Sequence, residues 1–112
     1  MNYLEIWCNL KDSSKDLKFA DAVEAYLNHL KENNMIHSWK LTRRKFGFGP
    51  PELGEFHIQI ASESLEQLDR AFGRVASRDE AIERLHIPVY SAVRDVKSAL
   101  YRDFPDEVRI RD

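Results

Sequence analysis

Two short segments of the chain carry an apolar residue at every second position. One covers residues 2–10, NYLEIWCNL, and the other lies within GEFHIQI at residues 54–60. A period of two places every second side chain on the same side of the backbone, which is typical of a half-buried β-strand. We therefore predict strands over 2–10 and 55–61, each with one apolar and one mostly polar face.

Apolar residues recur every three or four positions after the first strand, which predicts a helix over about 13–33. Ser13 or Ser14 is expected to cap its start, and Asn33-Asn34 is expected to end it.

A second helical stripe follows residue 62, with Ser62 as the expected cap. Ser77 and Glu80 have the spacing of a capping box and predict a third helix from about residue 79.

Residues that favour strands return between Met35 and Phe46, followed by the connection GFGPPELG. We predict a strand there that turns back in this loop. After Pro88 two interpretations remain open, because the apolar spacing fits a helix while the sheet needs another strand. We place the fourth strand at 95–102, with 108–111 as the alternative.

The resulting βαββαβ order with an extra helix predicts a single α+β domain over residues 1–112, of the ferredoxin-like class. Its antiparallel four-stranded sheet would carry all helices on one face. The other face would then show a mixture of aromatic and polar groups: Glu5, Trp7, Asn9, Glu55, His57 and Gln59. That face is either solvated or covered by an identical subunit, so that two sheets enclose a cavity. Trp7 favours the covered alternative, since burial of an indole is worth about 2 kcal/mol or more.

The element order, the length and this aromatic and polar face resemble the dimeric α+β barrel superfamily, which includes antibiotic biosynthesis monooxygenases and stress-responsive barrel proteins. The resemblance covers nearly the whole chain, and the segment ALYRDFPD at 99–106 resembles an uncharacterised branch. It implies a homodimer and a ligand pocket, within the barrel or between sheet and helices. It supplies no reaction, because one fold hosts many functions.

His57 is the candidate catalytic residue, as a general base, because Glu55 and Gln59 lie two positions away on the same predicted face. The alternative is that His57 only forms a hydrogen bond across the dimer. Trp7 is either a wall of the pocket or an anchor of the interface.

The other candidate ligand-binding residues are Glu5, Asn9, Gln59 and Arg44. Arg44 belongs to the run Thr42-Arg43-Arg44-Lys45, from which alternate side chains face opposite ways. A guanidinium in the barrel would suit a carboxylate ligand, although a charged strand edge in solvent also explains the run.

Charge and motifs exclude several function classes. Seventeen basic and nineteen acidic residues give a net charge of −2, so no global field attracts nucleic acid. RKFGFG at 44–49 resembles an RNA-binding signature, but Pro50-Pro51 place it in a loop and not in a strand.

The four histidines lack metal-site spacings, and no nucleotide fingerprint occurs, so we expect neither metal nor cofactor. Cys8 is the single cysteine, and no long apolar run occurs, so we expect no membrane span and a cytoplasmic location.

These features together predict a homodimer that binds a small organic molecule. If it is an enzyme, we expect cofactor-free chemistry in which His57 moves a proton. The alternative is a non-catalytic dimerisation or protein-interaction module.

Overall fold

The computed structural model describes residues 1–77 and 79–105. Its elements, in chain order, are β1 (Asn2–Leu10), a 3₁₀ turn (Ser13–Lys15), α1 (Asp16–Glu32), β2 (Ser38–Arg43), β3 (Phe56–Ser62), α2 (Leu65–Ala76), α3 (Glu80–Tyr90) and β4 (Val93–Arg102). The four strands form one antiparallel sheet in the order β2-β3-β1-β4. The predicted α+β class, the βαββαβ order and the extra helix are confirmed.

The core lies between one face of the sheet and the helices. The even-numbered residues of β1 and β3 point into it, among them Cys8, Ile58 and Ile60. From α1, Val23 and Leu27 complete this core, both at most 2% exposed. Burial of each such aliphatic side chain is worth about 1.5–3 kcal/mol, so the alternation along the two central strands fixes which face receives the helices.

β2 is shorter than predicted, whereas β4 lies where it was expected. β2 starts at Ser38, after Ile36 has entered the core from a non-strand segment. It ends at Arg43, and Phe46 adopts a left-handed backbone with φ of 54° in the loop. β4 covers 93–102, so the strand interpretation of this segment holds and the helical one is wrong. The alternative at 108–111 lies outside the described residues.

All three predicted N-caps are wrong by one or two residues. The first cap is Asp12, whose carboxylate accepts a hydrogen bond from the backbone N–H of Ser14, because a 3₁₀ turn precedes α1. β3 continues to Ser62, so the cap of α2 moves to Ser64. Asp79 replaces Ser77 and accepts from the N–H of Ile82. Asn33 ends α1 as predicted.

α3 continues through Pro88, and His86 and Tyr90 share one face of this helix, with ring centroids 5.7 Å apart. His86 also lies 5.2 Å from the ring of Tyr26 on α1, which joins the two helices. Within residues 1–77 and 79–105, no helix combines the length and the apolar character that a membrane span requires.

Gly54 sits where the chain enters β3 and passes directly against β1. A Cβ atom at Gly54 would collide with the backbone of Cys8, which cannot move because it is hydrogen-bonded in the centre of the sheet. Only glycine allows this close approach.

Gly54→Ala should therefore lower the free energy of unfolding by about 1–3 kcal/mol, the cost of overpacking a close-packed site. Gly73→Ala is the matched control, since Gly73 is helical and has open space around its Cα. Because alanine is the better helix former, the control should gain up to about 1 kcal/mol. Urea denaturation measures both, and equal stability of the two variants would contradict the packing argument.

Stability should also fall in mild acid because of His86. Burial lowers the pKa of His86 below its usual 6.5, with a smaller opposing effect of Glu83. The unfolded chain then binds a proton at His86 more readily than the folded chain does. The contribution of neutral His86 to the free energy of unfolding is therefore complete above pH 6.5 and is lost as the pH falls below 6.5. His86→Phe should reduce the difference in Tm between pH 7.5 and pH 5, and an unchanged difference would rule out this source.

Candidate functional site

In the described part of the chain, no helix lies on one face of the sheet, and we call this face the helix-free face. Cross-strand pairing assigns the following residues to it: Ser38, Lys40, Thr42, His57, Gln59, Ala61, Tyr3, Glu5, Trp7, Lys97, Ala99 and Tyr101. Trp39 of β2 instead points to the helices, where its Nε1 donates a hydrogen bond of 2.8 Å to Asn28 of α1. The alternation thus separates the two tryptophans of the chain onto opposite faces.

His57 occupies the middle of this face and is held from both sides. Trp7 lies directly opposite it on β1, with ring centroids 5.1 Å apart and an interplanar angle of 31°. Thr42 lies opposite it on β2, with its Oγ1 3.4 Å from His57 Nδ1. The imidazole is therefore fixed between an indole and a hydroxyl group, with Nε2 directed along the face.

Glu5 provides the carboxylate next to that imidazole. Its Oε1 accepts a 2.9 Å hydrogen bond from Gln59 Nε2, and Glu5 and Gln59 are paired directly across the two central strands. Its Oε2 lies 3.5 Å from His57 Nε2. The side chain of Glu5 is only 12% exposed and that of His57 28%, although no helix covers this face.

The two atoms that face each other are buried without a hydrogen bond. Among the described residues, Glu5 Oε2 and His57 Nε2 lack a hydrogen-bond partner and have almost no contact with solvent. Polar atoms in this condition cost about 1–3 kcal/mol each, so they are few in native proteins and each needs an explanation. A carboxylate beside an imidazole can orient the ring for proton transfer.

The alternation predicted Glu55 on the same face as His57, but the structure does not place it there. Its carboxylate accepts a 3.0 Å hydrogen bond from Arg43 Nε and is 41% exposed. The reason is that β3 begins at Phe56, so the alternating pattern does not include Glu55. Glu5, from the neighbouring strand, takes the position that had been expected of Glu55.

Asn9 lies at an irregularity in the pairing of β1 and β4 and uses its amide to hold the backbone. Its Oδ1 accepts a 2.9 Å hydrogen bond from the N–H of Glu55, and its Nδ2 donates to Asp95 Oδ2 at 3.2 Å. Both polar atoms of Asn9 are therefore engaged within the chain.

Arg44 is not brought together with the other predicted site residues. Its Nη2 donates to the carbonyl oxygens of Pro50 and Leu53, at 3.0 and 2.7 Å. β2 has already ended at Arg43, so Arg44 closes the loop between β2 and β3 and does not point along the face.

Cys8 lies on the opposite side of the sheet, within the core. Burial raises the pKa of its thiol to about 11, so it stays protonated at neutral pH and is a poor nucleophile.

Sequence reasoning did not identify Thr42 and Lys97 as members of the face. Thr42 was noted only as the start of a basic run, and Lys97 lies opposite Trp7 and donates a 2.7 Å hydrogen bond to the carbonyl of Glu52. Their neighbours are determined by the strand register, for which a single sequence contains no clear signal.

A family model described as a family of unknown function, DUF6614, matches residues 1–112. The chain belongs to this family. No curated protein matches its sequence.

Solved structures show the same fold at low identity. The protein At3g17210 from Arabidopsis thaliana has a TM-score of 0.72 at 14% identity, covering 98% of this chain and 100% of that one. A dimeric ferredoxin-like protein of unknown function from Jannaschia sp. CCS1 has a TM-score of 0.67 at 9% identity, covering 91% and 98%. An antibiotic biosynthesis monooxygenase has a TM-score of 0.60 at 13% identity, covering 94% and 100%. The predicted resemblance to monooxygenases of this kind is confirmed at the level of the fold.

The hydrogen bond between Gln59 and Glu5 gives a test of the cluster. Gln59→Leu should cost about 1–3 kcal/mol, because Glu5 Oε1 would lose its donor while remaining buried. The double variant Glu5→Leu/Gln59→Leu removes both partners and should recover much of that loss. Chemical denaturation of the two single variants and the double variant measures the coupling, and strictly additive effects would contradict it.

Proposed function

We propose that this protein forms a homodimer through the helix-free face and that the two sheets enclose a pocket for a small polar organic molecule. The observation that carries the proposal is the buried pair Glu5 Oε2 and His57 Nε2, which face each other without hydrogen bonds on the uncovered side of the sheet. Rotation of the Glu5 and His57 side chains would expose both atoms to a molecule with donor and acceptor groups, which would satisfy them.

The distribution of apolar surface supports a second copy as the cover. Trp7 lies in a central strand of this face, and Tyr101 of β4, on the same face, is 60% exposed. The molecule is also flat, with extents of 52 × 38 × 18 Å, which fits one half of a layered dimer. Aromatic side chains on an uncovered sheet face are typical of the core of an interface.

The similar protein from Jannaschia sp. CCS1 is described as dimeric and ferredoxin-like. Transferred to this chain, such an assembly would bring two sheets together and leave the helices outside. Each pocket would then be lined by Trp7, His57, Glu5 and Gln59 from β1 and β3. A cyclic two-fold arrangement uses the same surface on both copies, so one such face is sufficient.

The chemistry that we infer is proton transfer by His57. Thr42 and Trp7 fix the ring, and Glu5 supplies a negative charge within 3.5 Å of Nε2. An imidazole held in this way can take a proton from a polarised C–H or O–H group of the ligand and return it. Exclusion of water by the second sheet would strengthen these electrostatic contacts.

The alternative is a dimerisation or protein-interaction module without chemistry. The hydrogen bonds of Asn9 and Gln59 within the chain favour it, because they leave fewer polar groups for a ligand. In that case the two faces would pack against each other directly and leave no room for a small molecule.

Native mass spectrometry distinguishes these functions in one experiment. We expect the purified protein to have the mass of a dimer plus that of a retained small molecule. Trp7→Lys should give a monomer without the extra mass, since a buried ammonium group at the interface is unfavourable. Phe72→Lys is the control, because Phe72 is 51% exposed on α2, in the helix layer.

A Trp7→Lys variant that stays dimeric would contradict dimerisation through the helix-free face. A wild-type dimer without extra mass would support the dimerisation or protein-interaction module instead. His57→Ala serves as a second arm that keeps Trp7 in place. This variant should stay dimeric and lose most of the retained molecule. If the His57→Ala variant retains the small molecule in full, His57 does not contact the ligand.

A further inference from the structure

A groove with a volume of about 380 Å³ lies on the helix side of the molecule, away from the helix-free face. It is formed where the end of β1 meets the start of α1 and the end of α3. Leu10 and Phe19 are among its apolar lining residues, and Lys11, Lys15 and Lys18 are among its charged ones.

The floor of the groove is preformed and apolar. Leu10 and Phe19 are 7% and 2% exposed and belong to the main core, so their positions are fixed. The opposite wall contains Pro88 and Ala92, and the N–H of Lys11 donates a 2.9 Å hydrogen bond to the carbonyl of Ala92. This bond ties the two walls together. Ligand pockets combine such an apolar body with a few charged groups.

The charge of the groove differs from that of the whole chain, which is −2. In the described part of the chain, none of the three lysines forms an ion pair, whereas Arg43, Arg74, Arg84 and Arg94 each lie next to a carboxylate. The one acidic residue in the lining is Asp12, whose carboxylate already accepts hydrogen bonds from the N–H and the hydroxyl of Ser14, at 3.0 and 2.6 Å. The three lysines and Asp12 therefore give the lining a net charge of +2.

The start of α1 makes this accumulation of positive charge more unfavourable. Lys15 is the N-cap residue and makes no capping hydrogen bond with its side chain, and Lys18 lies in the first turn. Cations are disfavoured at this end of a helix, where the macrodipole is positive. A bound anion would relieve the repulsion among the lysines and their repulsion with the helix.

We propose that the groove binds an organic carboxylate whose apolar body lies on Leu10 and Phe19 and whose anionic group lies among Lys11, Lys15 and Lys18. This binding site is separate from the pocket proposed on the helix-free face and does not depend on it. The lysines act as point charges that recognise the sign of the ligand, and the floor recognises its apolar part.

The test uses two probes of nearly the same shape, 2-naphthoate and the neutral 2-naphthamide, titrated into the full-length protein and followed by amide NMR shifts. With 2-naphthoate we expect shifts in residues 10–22 and 88–92. The triple variant Lys11→Gln/Lys15→Gln/Lys18→Gln should bind 2-naphthoate about tenfold or more weakly than the wild type. Its affinity for 2-naphthamide should be unchanged. Lys31→Gln, at the other end of α1, is the matched control and should bind like the wild type.

Ala22 lines the groove, so the larger side chain of Ala22→Phe should fill it. This variant should bind both probes more weakly, although the three lysines keep their charges. A thermal melt of each variant shows whether it is folded. The proposal is overturned if wild-type protein does not bind 2-naphthoate, if the triple variant binds it as tightly as Lys31→Gln does, or if the shifts lie on the helix-free face.

Discussion

The helices cover only one face of the sheet, and the rest of the structure depends on this asymmetry. The apolar residues of β1 and β3 point to the helices at every second position, so the residues between them must point the other way. Those residues include Trp7, Glu5 and His57, which are a large aromatic ring and two ionisable groups. Their closeness follows directly from the antiparallel pairing of two central strands, with no contribution from loops.

Much of the fold can be predicted from periodicity because the physical signal is local and repeated. Strand β1 was predicted at its observed bounds, and β4 was placed within two residues of them. The helix N-caps were not predicted correctly, because several serines and aspartates near each helix start can accept the same hydrogen bond. Which one does so depends on where the preceding element ends, and for α2 this was Ser62 at the end of β3.

The sequence predicts which sheet face carries most residues of the candidate site, but it does not predict which of these residues contact each other. Alternation placed Trp7, Glu5, His57 and Gln59 on one side, and the structure pairs them two by two. The carboxylate near His57 could not be assigned, since Glu55 is nearer in sequence and Glu5 is nearer in space. That choice depends on strand register and on where β3 begins. Arg44 was misplaced for a similar reason, because the end of β2 turns its side chain into the loop.

The cluster around His57 also costs stability. A carboxylate oxygen and an imidazole nitrogen buried without hydrogen bonds each lower it by about 1–3 kcal/mol, which their attraction across 3.5 Å offsets only in part. The chain nevertheless supports both groups with specific contacts, from Gln59 to Glu5 and from Thr42 to His57. Positions that break a local rule while their neighbours hold them in place are expected at functional sites. A ligand would therefore compensate the largest unfavourable contribution at the centre of the helix-free face, rather than at Asn9 or Arg44, whose polar atoms already have hydrogen-bond partners.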